Sequence, residues 1–230
     1  VAGSVLADGS ASDGTYAGVA PAATLYFQSL LDPRGGLGGL PVSLEDLFEP
    51  AYQAGARVHN NSWGAATASA YTVDSNDVDA YAAKRRDMLI VIAAGNEGTA
   101  AAPFNSESGF VDWLSIGSPA SCKNALTVGA ARNRRTTGGL SGRTYWDTWR
   151  QDFPEPPIAD QRVSGDPECM AAFSSRGPCD DRRVKPDIVA PGTDIVSTRS
   201  DIAPDDHFWG LVDDNPAYAY MGGTSMASPH

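Results

Sequence analysis

Three short stretches of this chain carry side chains that could make and break a bond. The last ten residues, Met221-Gly222-Gly223-Thr224-Ser225-Met226-Ala227-Ser228-Pro229-His230, place a hydroxyl just after two glycines and before small, helix-tolerant residues. Glycines let the backbone turn sharply and let another segment approach closely. A serine in the first turn of a helix has free backbone N–H groups and the positive end of the dipole beside it. That setting suits an oxygen nucleophile, whose tetrahedral adduct carries negative charge. A plainer reading makes Thr224 or Ser225 a helix cap and nothing more. In Ile92-Ala93-Ala94-Gly95-Asn96-Glu97-Gly98, an amide sits between glycines at the end of an apolar run, where it could donate into a developing oxyanion. Asn96 could equally be there because asparagine tolerates a left-handed turn. In Asn60-Asn61-Ser62-Trp63-Gly64, the Ser-Trp-Gly edge could pair with an extended peptide by strand addition, or be an ordinary strand exit.

The elements that must position these stretches follow from hydrophobic pattern and punctuation. Thr24–Leu31 reads as a strand and Gly35–Pro41 as a loop. Ser43–Ala56 reads as a helix, with Ser43 as N-cap, Asp46 three residues on, and Gly55 at its end. Arg57–Ser62 is a short strand, Asp74–Asp87 a polar-faced helix and Met88–Ala94 a fully buried strand. Ala125–Ala130 and Asp187–Val196 supply further strand segments. This β-α-β-α order predicts a parallel sheet with helices on both faces, with ligands beyond the carboxyl ends of its strands. The Gly-rich stretches fall there. Phe173-Ser174-Ser175-Arg176-Gly177-Pro178 and Lys185-Pro186-Asp187-Ile188-Val189-Ala190-Pro191-Gly192 read as turn, strand, turn. Arg132–Cys169 has no clean period and reads as a long inserted surface loop, pinned to the body by Tyr145, Trp146 and Trp149.

Composition narrows the function. The 230 residues carry 17 Lys+Arg against 28 Asp+Glu, a formal net charge of −11. That balance argues against nucleic acid and anionic membranes as partners. The longest apolar run, Met88–Ala94, is too short to span a bilayer. With 24 Gly and 16 Pro in a chain of ordinary apolar content, the excess signals turns rather than disorder. Three cysteines allow at most one bridge; Cys169 and Cys179 bracket the FSSRGP stretch, and a bridge from Cys122 is equally open. Asp201, Asp205, Asp206, Asp213 and Asp214 crowd one segment without EF-hand spacing, as a solvated acidic loop would.

Taken together, GTSMASPH, AAGNEG, NNSWG, FSSRGP and KPDIVAPG stand in the order found in the subtilisin-like serine proteases, and the sequence resembles that family over nearly its whole length. Val1-Ala2-Gly3-Ser4 is similar to the tail of the family's catalytic-histidine motif, H-G-T-H-V-A-G, and Gly18-Val19-Ala20-Pro21 with GGLGGLP resembles an alkaline, secreted branch. The resemblance implies a three-layer α/β/α fold with a mostly parallel central sheet. It implies Ser225 as nucleophile, and Asn96 with the Ser225 N–H as the oxyanion hole. Ser62, Trp63 and Gly64 would pair with substrate backbone; Gly36, Leu37 and Gly38 would form a second pairing strand. Ala93, Ala94 and Gly95 would wall the S1 pocket, with Gly117 near its floor admitting a large apolar P1 residue. Pro119 would be cis. The family also implies an extracellular, monomeric enzyme acting on extended protein or peptide substrates, with no cofactor required for catalysis and structural Ca²⁺ in loops.

The family nucleophile also needs a His base and an Asp to orient it. Of the three histidines, His59 lies in a strand, His207 in an acidic loop, and His230 matches a family position that is not catalytic. By the motif, the base would lie four positions before Val1 and the Asp further upstream. Asp8-Gly9-Ser10 and Asp13-Gly14-Thr15 stand on the wrong side of the His motif and read as turns. The expectation is therefore a partial catalytic domain, its N-terminal part missing, nearly inert alone but drawn from a serine endopeptidase. The rivals are a catalytically inactive subtilase-like binding module and a nucleotide-binding α/β domain. The second has no G-x-G-x-x-G or P-loop after a strand to support it.

Overall fold

One parallel sheet with two apolar faces organises the chain. The computed structural model describes residues 1–34, 36–99, 107–202 and 207–230. β1 (Val58–Asn61), β2 (Leu89–Ala93), β3 (Leu126–Ala131) and β4 (Ile188–Pro191) pair in that order, all parallel. β2 and β3 have neighbours on both edges and read LIVIA and LTVGAA, the near-continuous apolar runs that burial on both faces demands. Alternation along β2 sends Ile90 and Ile92 to one face, and Val91 to the other with Val128 and Ala130 of β3. The first face is covered by α2 (Glu45–Gln53) and α3 (Val73–Lys84), through Leu47, Phe48, Ala51, Val78 and Tyr81. On the second face lie α5 (Thr224–Ala227) and an aromatic core that includes Tyr145, Phe153, Trp209, Tyr218 and Tyr220. Helix, sheet and helix make the three-layer α/β/α arrangement. β5 (Ile195–Thr198) and β6 (Tyr218–Met221) form a separate antiparallel pair, with α1 (Ala2–Leu6) against β5. Among the described residues no helix is long and apolar enough to cross a membrane.

Several elements differ from the sequence reading. Thr24–Leu31 is not a strand. Leu25, Phe27 and Leu31 are exposed, and the segment is tied to the sheet by a side chain, Gln28, which donates to Leu47 O (2.8 Å) and meets His59 Nε2 of β1 (3.0 Å). Its apolar content favours extension, but no described strand gives it a main-chain ladder. α2 starts at Glu45, not Ser43: Ser43 Oγ accepts only from Glu45 N–H (3.3 Å), while Asp77 of α3 takes the Leu44 N–H (3.0 Å). The N-cap position thus falls on Leu44, which has no capping side chain, and a carboxylate distant in sequence holds its N–H. Asp187–Val196 divides into β4 and β5: Gly192 N–H still bonds to Ala131 O (2.9 Å), and the chain leaves the sheet through Thr193 and Asp194, the latter in the left-handed region (φ +48°). Residues 132–169 hold one short helix, α4 (Tyr145–Thr148), and contribute Tyr145, Phe153, Ala159 and Val163 to the core. Trp149 packs on Tyr145 and Phe173, whereas Trp146 is 38% exposed under the Arg150 guanidinium. All three cysteines are free, so neither bridge forms. The Ser118–Pro119 peptide is cis.

His59 packs edge-on against Phe48, with ring centroids 5.0 Å apart. Its Nε2 meets a Gln28 carbonyl oxygen, which can only accept, so Nε2 carries the proton and the buried Nδ1 has no partner among the described residues. Burial pushes its pKa down from 6.5 to about 4. The unfolded chain then binds a proton that the folded chain refuses, so stability is complete above pH 6.5 and falls as pH drops toward 4, by roughly 3 kcal/mol. Urea unfolding across that window should show the loss, and His59→Gln should flatten it. An equal slope in the variant would contradict this assignment.

Candidate active site

The carboxyl ends of β1 and β2 open onto a cleft of about 190 Å³. Ser62, Trp63, Gly64 and Ala65 continue from β1 as one wall, and Ala93, Gly95, Asn96 and Glu97 leave β2 as the other. Gly117, Ser118, Thr224 and Ser225 complete its lining. The floor is braced by an antiparallel bridge in which Ala65 and Ser118 exchange N–H···O bonds, both 2.9 Å. A Cβ on Gly64 would lie 2.8 Å from Ser118 O, so this approach requires glycine. Gly117 donates to Ala94 O (2.9 Å), and a Cβ on it would press on Ala65 O at 3.0 Å.

The nucleophile candidate is delivered by β6. After Met221 the chain passes Gly222 and Gly223 (φ +133°), and Gly223 donates to Gly192 O (2.8 Å). α5 starts directly after, with no side-chain cap; neither Thr224 nor Ser225 plays that part. Instead Thr224 reaches across to the end of β2. Its N–H (2.9 Å) and hydroxyl (3.1 Å) both donate to Asn96 Oδ1, and its Oγ1 accepts from Gly95 N–H (3.2 Å). With Oδ1 so occupied, the amide orientation is set and Nδ2 is the group left to donate. Ser225 Oγ donates to Ser62 O (3.2 Å), while Ser62 Oγ bonds to Ser225 O (3.0 Å) and Ser228 Oγ (2.9 Å). The backbone N–H of Ser225 lies in the first turn of α5, where no intrahelical acceptor exists.

The cleft thus gathers Ser225, Asn96, Ser62, Trp63, Gly64, Ala93, Gly95 and Gly117. Ala94 stands behind it, its methyl in the core and its main chain bonded to Val128 and Gly117. Gly36, Leu37 and Gly38 do not line the cleft; Asp32 folds their loop onto itself, accepting from Arg34 N–H (2.8 Å) and Gly36 N–H (2.9 Å). Two participants escape sequence reasoning. Thr224 is one, its adjacency to Ser225 being the only available signal. Glu97 is the other; its N–H donates to Ser175 Oγ (3.0 Å), and its carboxylate accepts from the same hydroxyl (3.0 Å). No histidine lines the cleft: His59 bonds to Gln28, His207 takes a hydrogen bond from Arg199, and His230 lies on Met226 O. Met226, next to Ser225, is 7% exposed. Among the described residues no group of three or more His, Cys, Asp or Glu is placed to hold a metal; Asp205 and Asp206 lie outside those residues.

The site is a helix–sheet–helix domain in which a serine in the first turn of α5 meets an asparagine just beyond β2, and comparison with known proteins gives the family. The subtilase family profile matches residues 1–230, and the chain belongs to that family. It is 28% identical to the serine protease AprX of Bacillus subtilis over 99% of its own length and 45% of that protein's. It is 29% identical to a subtilisin of a Bacillus species over 100% of its length and 43% of that protein's. It is 28% identical to the serine protease/ABC transporter B family protein tagB of Dictyostelium discoideum, over 82% of this chain and 12% of that protein. The chain therefore spans less than half the length of these relatives. Among solved structures, the patellamide maturation protease PatA shares the fold, with a TM-score of 0.57, 21% identity and coverage of 99% of this chain and 59% of that one.

Gly64→Ala should separate Ala65 from Ser118 and cost about 1–3 kcal/mol, as overpacking of a tight contact does. Thermal melting measures this; an unchanged melting temperature would show that the close approach of Gly64 to Ser118 is not needed.

Proposed function

We propose that this chain carries the nucleophile and oxyanion half of a serine-type endopeptidase that cleaves proteins through an acyl-enzyme on Ser225. The observation that carries the reading is the convergence of Ser225 and Asn96 on one cleft, joined through Thr224. Ser225 Oγ attacks the scissile carbonyl carbon, and its proton passes to a base. Since His59, His207 and His230 all point elsewhere, that base and its orienting Asp are supplied from outside these 230 residues, which alone turn over almost nothing. Negative charge collects on the carbonyl oxygen and is held by Asn96 Nδ2 and the Ser225 N–H. The amine leaves, water attacks the ester, and Ser225 is regenerated.

The substrate lies extended along Ser62–Gly64. Its P1 side chain enters between Ala93–Gly95 and Ser62–Gly64, above Gly117, whose missing side chain leaves room for a large apolar group. The chemistry calls for no cofactor, and Ca²⁺ would serve only to stiffen loops. An extracellular setting is in keeping with the Bacillus relatives.

A fluorophosphonate probe should label Ser225 in the full-length protein, and Ser225→Ala should abolish labelling. Asn96→Ala should lower kcat by about 10²–10³-fold, the usual loss for one oxyanion donor, with little change in KM. A pure KM effect would contradict the role of Asn96. Peptide binding without labelling would leave the inactive binding module as the reading.

A further inference from the structure

Gly222 has a neighbour that the serine chemistry does not use. A Cβ built on it would overlap Cζ2 and Cη2 of the Trp209 indole and lie 2.8 Å from Cε2, so the ring rests directly on the main chain of the turn that leads to Ser225. Trp209 is 7% exposed. Around it stand Trp149 (ring centroids 5.6 Å), Phe173 (6.4 Å) and Phe208 (6.2 Å). Trp149 in turn packs on Tyr145 (5.7 Å), whose hydroxyl accepts from Ala172 N–H (2.8 Å). The main chain beside Trp209 is held as well: Gly210 O, one residue on, accepts from Tyr220 N–H of β6 (2.9 Å).

We infer that Trp209 is a positioning residue for Ser225, and that it couples the 132–169 segment, through Trp149, to the nucleophile turn. Three supports fix that turn. Gly192 holds Gly223 by a main-chain bond, Asn96 holds Thr224, and Trp209 blocks movement of Gly222 toward the aromatic core. The first two leave that last direction open. A flexible Gly-Gly pair without the ring would let the serine wander, and an ångström of misplacement costs about 10²-fold in rate. Offset and tilted aromatic contacts make the stack stiff as well as apolar.

This inference rests on Ser225 being the nucleophile, so its test has one arm that needs turnover and one that does not. In the full-length protein, Trp209→Ala should lower kcat about 10–100-fold with KM within about twofold, Trp209→Phe should recover most of the loss, and Trp149→Ala should fall between. Amide hydrogen exchange at residues 222–226 reads the contact without catalysis. It should quicken at least tenfold in Trp209→Ala and much less in Trp209→Phe, with β2 unchanged. If the unaltered protein does not cleave peptides, the protease reading fails and exchange alone decides the contact. Unchanged exchange at the turn, or a rise in KM at constant kcat, overturns the inference. If Trp209→Ala does not fold, Trp209→Phe carries the test, and an exchange rate and kcat equal to those of Trp209→Ile would overturn it.

Discussion

Everything in the cleft depends on one side chain accepting two hydrogen bonds. Asn96 Oδ1 takes the N–H and the hydroxyl of Thr224, and Thr224 Oγ1 takes the N–H of Gly95. These bonds join the end of β2, in the middle of the sheet, to the start of α5, 128 residues later in sequence. They orient the amide, so its nitrogen is free to donate. They also fix the first residue of a helix too short to hold itself, since isolated turns do not persist. Without the link, Ser225 and Asn96 would sit on independently moving loops.

Close approach is the second constraint. The cleft is narrow because main chain meets main chain at its floor and an aromatic ring backs the turn before Ser225. Ala65 and Ser118 exchange hydrogen bonds past Gly64, and the Trp209 ring lies on Gly222. In both places a side chain is excluded by a neighbour rather than by φ. The apolar runs of β2 and β3 then give these contacts a rigid base, buried on both faces.

How much of this could be read from the sequence depends on whether the interaction was local. β2 was legible, because the seven apolar residues Met88–Ala94, followed by Gly-Asn-Glu-Gly, read as a buried strand ending in a turn, although Leu89 at its start is exposed. The meeting of Ser225 and Asn96 was legible through the order of motifs. Thr24–Leu31 was misread because apolar content does not say whether a partner strand is present. The start of α2 was misread because the N-cap is Leu44, whose N–H is held by Asp77 from another helix. Trp149 and Trp209 lie 60 residues apart, and no periodicity links them. Thr224 was read only as a possible cap, because a threonine at a helix start looks like capping chemistry, whereas its hydroxyl reaches across to Asn96. Gly36–Gly38 turned out to close on Asp32, a short-range Asx interaction that a Gly-rich string does not announce.

The central claim, that Thr224 and Asn96 act as one unit, is tested most directly by a double-mutant cycle on unfolding free energy. Thr224→Val and Asn96→Ala would be measured singly and together in denaturant. Each hydrogen bond in the link is worth about 1 kcal/mol, so the account predicts that the two losses overlap, with a coupling of about 1 kcal/mol or more. Losses that add to within about 0.3 kcal/mol would show that the two residues are independent and contradict the account.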